Sequence, residues 1–506
     1  MDARTDRGEL SLVERGFARL SGAYAENKLP FFSALAAGLL AHGFAFANKL
    51  LIPDEVGSLF SKGATLESGR WGLELLRLVI PDISMPWLYG LLSLAVLAVA
   101  ACLTVRLFRI QSKALQCLLP AVMLTFPSLT ALFGYMFTSL PFALALLLAV
   151  LSASWGSRDT PRFWALSCLA LVFSLGIYQA YVALTASFFL LCMIQRLLDK
   201  DTEAGAVLRF GLKALGCLGM ALVLYYGLTV LSFRLTGSSR LGYGVEKRGI
   251  LYGVALAYNA FLKTFTAGEF GFVNGRASLA LHLLCLAAAL VLLFQGLLRL
   301  GDGKKRGMLV LCLCLLPLSM NGFYLAAEVT AVHSVVLYSF VCCYVLAALA
   351  VEQGSGHVSR WARDGVLAAL LLLALGNATF ANKAYLRAHL QYESATAFYT
   401  ELIAQVKQTE GFDENSRLAL LGTAEAAVYE PEELDTGKLV GLNGEHLINA
   451  YTRETLIRTY LGFDVPFASQ EEKAELQNRE EVRAMPVYPY YGSVQKIGDY
   501  IVIKLS

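Results

Sequence analysis

Long apolar runs following one another with little between them are the feature that most restricts this chain. Between residues 31 and 380 they come in stretches of roughly 17–24 residues, split by short polar breaks. A helix rises ~1.5 Å per residue, so ~20 apolar residues cross a ~30 Å hydrocarbon core. One or two such runs would suit the central helix of a soluble domain. About ten in succession do not, because every helix would have to be the central one. The expected fold class is therefore an all-α polytopic membrane protein. Spans are expected near 31–52, 86–107, 114–135, 138–155, 163–178, 180–198, 211–233, 277–298, 307–326, 333–351 and 364–380.

Composition agrees with this reading. Hydrophobic residues make up 57% of the chain and charged residues 16%, against about a quarter charged in soluble domains. A net charge of +3 gives no ground for a nucleic-acid partner. All ten cysteines fall inside the apolar runs. They read as small lipid- or core-facing residues, not as a disulfide frame or a metal site. About thirty polar residues precede the first run, so a cleavable signal is not expected there.

Lysine and arginine in the short loops set the expected orientation. With the N-terminus inside, the inner loops hold Arg106, Arg109 and Lys113; Arg158 and Arg162; Arg196, Lys200, Arg209 and Lys213; Arg299, Lys304, Lys305 and Arg306; and Arg360 and Arg363. The short outer loops near 136, 179 and 328 hold none. Merging the two runs on either side of Gln179 would put Lys304, Lys305 and Arg306 outside, so a turn is expected at Gln179. The result is eleven spans, N-terminus inside and C-terminus outside.

Three regions follow: a cytoplasmic segment 1–30, a transmembrane domain 31–380 with long outer loops 53–85 and 234–276, and an extracytoplasmic domain 381–506. In the last, Ala388–Lys407 reads as a helix, and Arg417–Leu421 and Asp499–Leu505 as strands around a small α/β core. The inner loops are short and carry no Walker or dinucleotide motif. Chemistry is expected on the outer side, without ATP or a nucleotide sugar.

Candidate site residues concentrate there. Asp54 and Glu55 sit just beyond the first span, where carboxylates cost free energy unless solvated or paired. A partly desolvated carboxylate has a raised pKa, which suits a general base, while a simple interfacial cap is the plainer alternative. Trp71–Ile80 reads as an amphipathic helix lying in the interface. Arg70 and Arg77 flank its start and end on one face, at a depth where they would meet a lipid-linked phosphate or ordinary phospholipid. The second long loop is basic and rich in tyrosine, with Arg240, Lys247 and Arg248 beside Tyr243. Tyr178 and Gln179 mark the tight outer turn, and His333 clusters with Asn321 and Glu328 at another. His42 reads as a polar group facing the bundle interior, and His282 as a packed core histidine.

The Asp54-Glu55 pair after a first span, Gly69-Arg70-Trp71, Gly176-Ile177-Tyr178-Gln179 and the ending Met485-Pro486-x-Tyr488-Pro489-x-x-Gly492-Ser493 with Ile501–Leu505 together resemble the Gtr type-II glucosyltransferase family. The resemblance runs over nearly the whole chain. It implies a GT-C type membrane enzyme of the bacterial cytoplasmic membrane with its active site facing outside. The implied donor is a polyprenyl-phosphate sugar, typically glucose, and the implied acceptor a surface polysaccharide such as O-antigen. A flippase and a polyprenyl-phosphate glucose synthase are implied as pathway partners. The expected catalytic base is Asp54, with Glu55 as neighbour or alternate, and the displacement would invert the anomeric centre. Arg70, Arg77, Arg240, Lys247 and Arg248 are expected at the donor phosphate, and Trp71, Tyr178, Gln179, Tyr243 and His333 at the substrate. Neither a metal nor a separate cofactor is expected. The alternatives are a transporter or flippase of lipid-linked sugars, whose repeated halves and mid-membrane charges the sequence lacks, and a polysaccharide polymerase or ligase.

Overall fold

The apolar runs become helices in the structure, a computed structural model that describes residues 27–58, 65–239, 249–268, 271–325, 332–353, 360–413, 415–424, 434–436, 439, 442 and 447–506. In chain order the helices begin with α1 (Lys28–Ala47), α2 (Pro53–Ser58), α3 (Trp71–Leu76), α4 (Pro86–Leu107), α5 (Lys113–Thr125), α6 (Pro127–Gly134) and α7 (Met136–Gly156). Next come α8 (Pro161–Ile177), a 3-10 turn Gln179–Tyr181, α9 (Val182–Leu198), α10 (Ala204–Thr236) and α11 (Ile250–Thr266). The bundle closes with α12 (Gly275–Arg299), α13 (Gly303–Met320), a 3-10 segment Ser334–Val341, α14 (Cys342–Gln353) and α15 (Arg360–Gln408).

Among the described residues, eight helical stretches are long and apolar enough to cross a membrane. The pair α5 and α6 meets the same criterion with a bend of 42°, and α8 is a shorter apolar helix. Proline accounts for these breaks. Phe126 precedes Pro127 and is held at ψ 133°, outside the helical region, as a residue before proline must be. Pro86 and Pro161 open α4 and α8, where a missing N–H costs nothing. The second long loop has secondary structure of its own. It contains α11, whose Gly253 lies so close to the Tyr324 carbonyl that no side chain would fit.

The bundle is held by close backbone approach and by hydroxyls bonding across helices, as expected where lipid supplies no hydrophobic drive between helices. Gly38 of α1 lies against Leu94, and Gly90 of α4 against Phe46. Ser174 of α8 donates to the Ala145 carbonyl of α7 at 2.8 Å, and Thr185 of α9 to Ala149 at 3.1 Å. His42 is fully buried, its ring nitrogens 2.8 Å from the Tyr385 hydroxyl and the Leu124 carbonyl, so it ties α1 to α15 and α5. His282 is likewise buried between the Ser278 carbonyl and the Tyr344 hydroxyl. Apolar side chains such as Leu212, Leu215, Val223, Phe294 and Leu298 point outward from α10 and α12.

The chain reverses at Gln179. Arg196 at the end of α9 donates to the Ser157 carbonyl at the end of α7, 2.6 Å away. The same end of the molecule gathers Gln195 on the Phe108 carbonyl, Lys305 on the Asp199 carbonyl, and the backbone N–H groups of Gln111 and Ser112 on the Glu352 carboxylate. These are the loops that the lysine and arginine pattern groups together. The opposite end gathers Glu55, Phe137, Gln179 and His333.

Through the bundle and out past that second end runs α15, one unbroken helix of 49 residues. The expected boundary at 380 falls inside it, so the last span and the helix expected at Ala388–Lys407 are a single rod. Its upper part packs on a three-stranded sheet of order β1 (Arg417–Leu421), β3 (Tyr500–Lys504), β2 (Val494–Ile497), with β1 parallel and β2 antiparallel to β3. Gly498, at φ +62°, makes the turn between the hairpin strands. Side chains alternate across the sheet. Leu418, Leu420, Ile501 and Ile503 meet Tyr399, Leu402 and Val406 of α15, while Ala419, Leu421 and Val502 meet Leu476, Val482 and Met485 from the helices Gln470–Asn478 and Glu480–Ala484. Leu51 and Val56 belong to the first of these cores. The start of the first long loop is thus clamped between the bundle and the C-terminal domain.

Candidate active site

Helix α2 separates the two adjacent carboxylates by a helical step of ~100°. Asp54 faces solvent, while Glu55 is fully buried. Glu55 accepts the Phe137 N–H at 3.0 Å and pairs with Lys49 at 3.3 Å. Burial raises its pKa, opposed by Lys49 and the Phe137 N–H. The upward shift expected of a desolvated carboxylate therefore belongs to Glu55, which is sealed from any acceptor and pins α2 to the start of α7. Asp54 is left as the accessible carboxylate.

His333 and Arg70 share the electrostatic neighbourhood of Asp54. Desolvation lowers the His333 pKa, with Asp54 pulling it up and Arg70 pushing it down. Its Nδ1 lies 3.5 Å from the Tyr135 hydroxyl. The Arg70 guanidinium sits over the Tyr178 ring, 5.2 Å from its centroid, and 6.0 Å from that of Phe142; the latter two rings stack at 4.1 Å. Among the described residues Arg70 has no ion pair, and its Nε is buried without a hydrogen-bond partner. A half-buried cation held on aromatic faces and left without an anion is a receptor for one.

Other candidate residues hold this arrangement in place. Gln179 donates to the Ser68 carbonyl at 2.7 Å and to the Tyr225 hydroxyl at 2.9 Å, and Tyr225 donates to Gly69. It is a tether for the Gly69-Arg70 turn, where Gly69 takes φ +76°. Trp71 is buried against Leu171, Val172 and Leu175, and Gly72 meets the Gly176 backbone. Trp71 therefore anchors α3 to α8 and presents no face to a substrate. The amphipathic helix expected over Trp71–Ile80 is shorter, ending at Leu76, though Leu75, Leu78 and Val79 beyond the anchor are well exposed. Arg77 pairs with Glu74 and Asp82 and donates to Thr65, so its charge is already matched. Arg240, Tyr243, Lys247, Arg248 and Glu328 lie outside the described residues. Among those described, no group of three metal-ligating side chains occurs.

Tyr135, Phe142 and Tyr225 escaped the sequence reading. Tyr135 stands at the short outer turn near 136, a visible signal. Phe142 and Tyr225 sit inside apolar runs, where nothing in the sequence sets them apart.

A family model described as Glucosyl transferase GtrII matches residues 43–344. The chain belongs to that family. The GtrII match takes in Asp54, Glu55, Arg70, Tyr178, Gln179 and His333, so all the bundle residues that converge here lie within the glucosyltransferase portion. Arg70 lies over Tyr178 of the second signature, and its charge and that of Asp54 of the first both act on His333. No curated protein and no solved structure matches the chain.

Proposed function

We propose that this protein moves a single glucosyl unit from a polyprenyl-phosphate donor to a surface glycan at the outer face of the bacterial cytoplasmic membrane. The observation that carries the reading is an exposed Asp54 carboxylate and an Arg70 guanidinium with no ion pair among the described residues, both acting on His333 at the end of the bundle opposite the basic loops. Eleven spans with the N-terminus inside put that end outside.

In the reaction, Asp54 takes the proton from an acceptor hydroxyl. The oxygen forms a bond to the anomeric carbon as the bond from that carbon to the phosphate oxygen breaks. Polyprenyl phosphate leaves with the electron pair, and a one-step displacement inverts the centre. Arg70 meets the negative charge that builds on the phosphate, where a fixed cation in a low-dielectric wall acts most strongly. Tyr178 and Phe142 hold that cation in place, and His333 with Tyr135 lines the sugar side. The donor lipid is a substrate, and the reaction as drawn needs no metal.

The test is transfer of labelled glucose from synthetic polyprenyl-phosphate glucose in membranes containing the protein. Wild type should transfer and Asp54→Asn should not, with both inserted at equal levels. Full activity in Asp54→Asn removes Asp54 from this role.

A further inference from the structure

The outer domain reaches into the site through one side chain. Asp54 and Gly57 are three residues apart on α2, so they share a helix face with Cβ positions ~5–6 Å apart. Over Gly57 sits Tyr451 of the outer domain: its hydroxyl would lie 3.1 Å from a Cβ placed on that glycine. The phenol tip thus stands over the helix face that carries Asp54, about one turn along it. Its backbone is fixed, because the N–H groups of Tyr451 and Thr452 both donate to the Asn449 side chain, at 2.8 and 2.9 Å. Yet the side chain is not packed away; Tyr451 is 67% exposed, while its neighbours Leu447, Ile448 and Val56 are buried in the domain core.

An exposed aromatic ring on a fixed backbone, on the helix face of a candidate base, is a stacking platform for the apolar C–H face of a pyranose ring. His333 and Arg70, which act electrostatically together with Asp54, suit the donor. Tyr451 stands over the α2 face that carries Asp54 and Gly57. We infer that Tyr451 forms the acceptor subsite, stacking on a sugar of the surface glycan and bringing its hydroxyl to Asp54. This deepens the proposed transferase reading and rests on it for the identity of the acceptor. It gives the outer domain a part in the reaction.

The test uses full-length protein in nanodiscs and, as probe, surface polysaccharide purified from a strain deleted for this gene. Binding is measured without donor. Tyr451→Ala should weaken glycan binding roughly tenfold, the effect of losing about one aromatic contact, while Tyr451→Phe should bind like wild type. In the transfer assay Tyr451→Ala should raise KM for the glycan and leave KM for polyprenyl-phosphate glucose unchanged. Equal binding by wild type and Tyr451→Ala, no binding by wild type, or loss in Tyr451→Phe as large as in Tyr451→Ala overturns the inference. A damaged base assignment reads out separately: full transfer by Asp54→Asn would sink it whatever the binding result.

Discussion

Two neighbouring carboxylates differ here by one rotation about a short helix, and their substitutions should differ accordingly. Glu55→Gln keeps an acceptor for the Phe137 N–H and removes a charge that burial already disfavours, so this variant should fold and transfer. Glu55→Ala leaves Phe137 and Lys49 without a partner and should cost about 1–3 kcal/mol, read as a lower unfolding temperature in detergent. At Arg70, alanine should slow transfer by roughly 10²–10³-fold, the scale of losing one charge-stabilising group. Lysine should restore only part of the rate, because an ammonium does not reproduce a planar guanidinium lying on the Tyr178 ring.

At the level of elements, the site depends on α3 lying flat against α8. A methyl group on Gly72 would come within 2.8 Å of the Gly176 carbonyl carbon, and one on Gly176 within 2.6 Å of the Trp71 ring. Gly72→Ala should therefore push α3 outward at about 1–3 kcal/mol, and transfer should fall although Arg70 itself is intact. Donor KM measured on that variant checks it. In the outer domain, Glu472 caps its helix with Ser469 and pairs with Arg417 at 2.5 Å, which holds its carboxyl down to about 2. A depressed carboxylate pKa adds stability that is full above the ordinary glutamate range and fades as pH falls toward 2. Glu472→Gln should make the domain sensitive to protease at a higher pH than wild type.

The long apolar helices were legible because hydropathy alone marks them, and the strands Arg417–Leu421 and Asp499–Leu505 because short apolar runs stood beside turn residues. The strand Val494–Ile497 was not, since only Val494 and Ile497 are apolar and it exists by pairing with Tyr500–Lys504. Continuity of α15 was hidden as well: composition changes at Phe380, but nothing there breaks a helix. At the site, Asp54, Arg70 and His333 were legible by type and position. That Gln179 tethers the turn and Trp71 anchors it was not, because both roles are set by partners distant in sequence, Ser68 and Tyr225 for one and Leu171 to Leu175 for the other.

For the whole molecule, the proposed function requires the Asp54 end of the bundle to face outside, and side-specific labelling tests it. A cysteine at Tyr491, the most exposed tyrosine of the outer domain, should react with a membrane-impermeant maleimide on intact spheroplasts. One at Arg158, at the opposite end, should react only after permeabilisation. The reverse pattern would put Asp54 on the cytoplasmic side and end the lipid-linked reading.

The 49 residues of α15 make a rod of about 73 Å that begins among the basic loops and ends in the sheet of the outer domain. Such a rod carries phase as well as length. Each inserted residue turns everything above it by ~100° and lifts it ~1.5 Å. One residue added between His389 and Glu393 should swing Tyr451 away from Gly57, whereas four, which restore the angle to within ~40°, should return part of the transfer. The helix that ends the membrane domain would then act as the molecule's indexing shaft, fixing which azimuth of the outer domain looks down on the carboxylate.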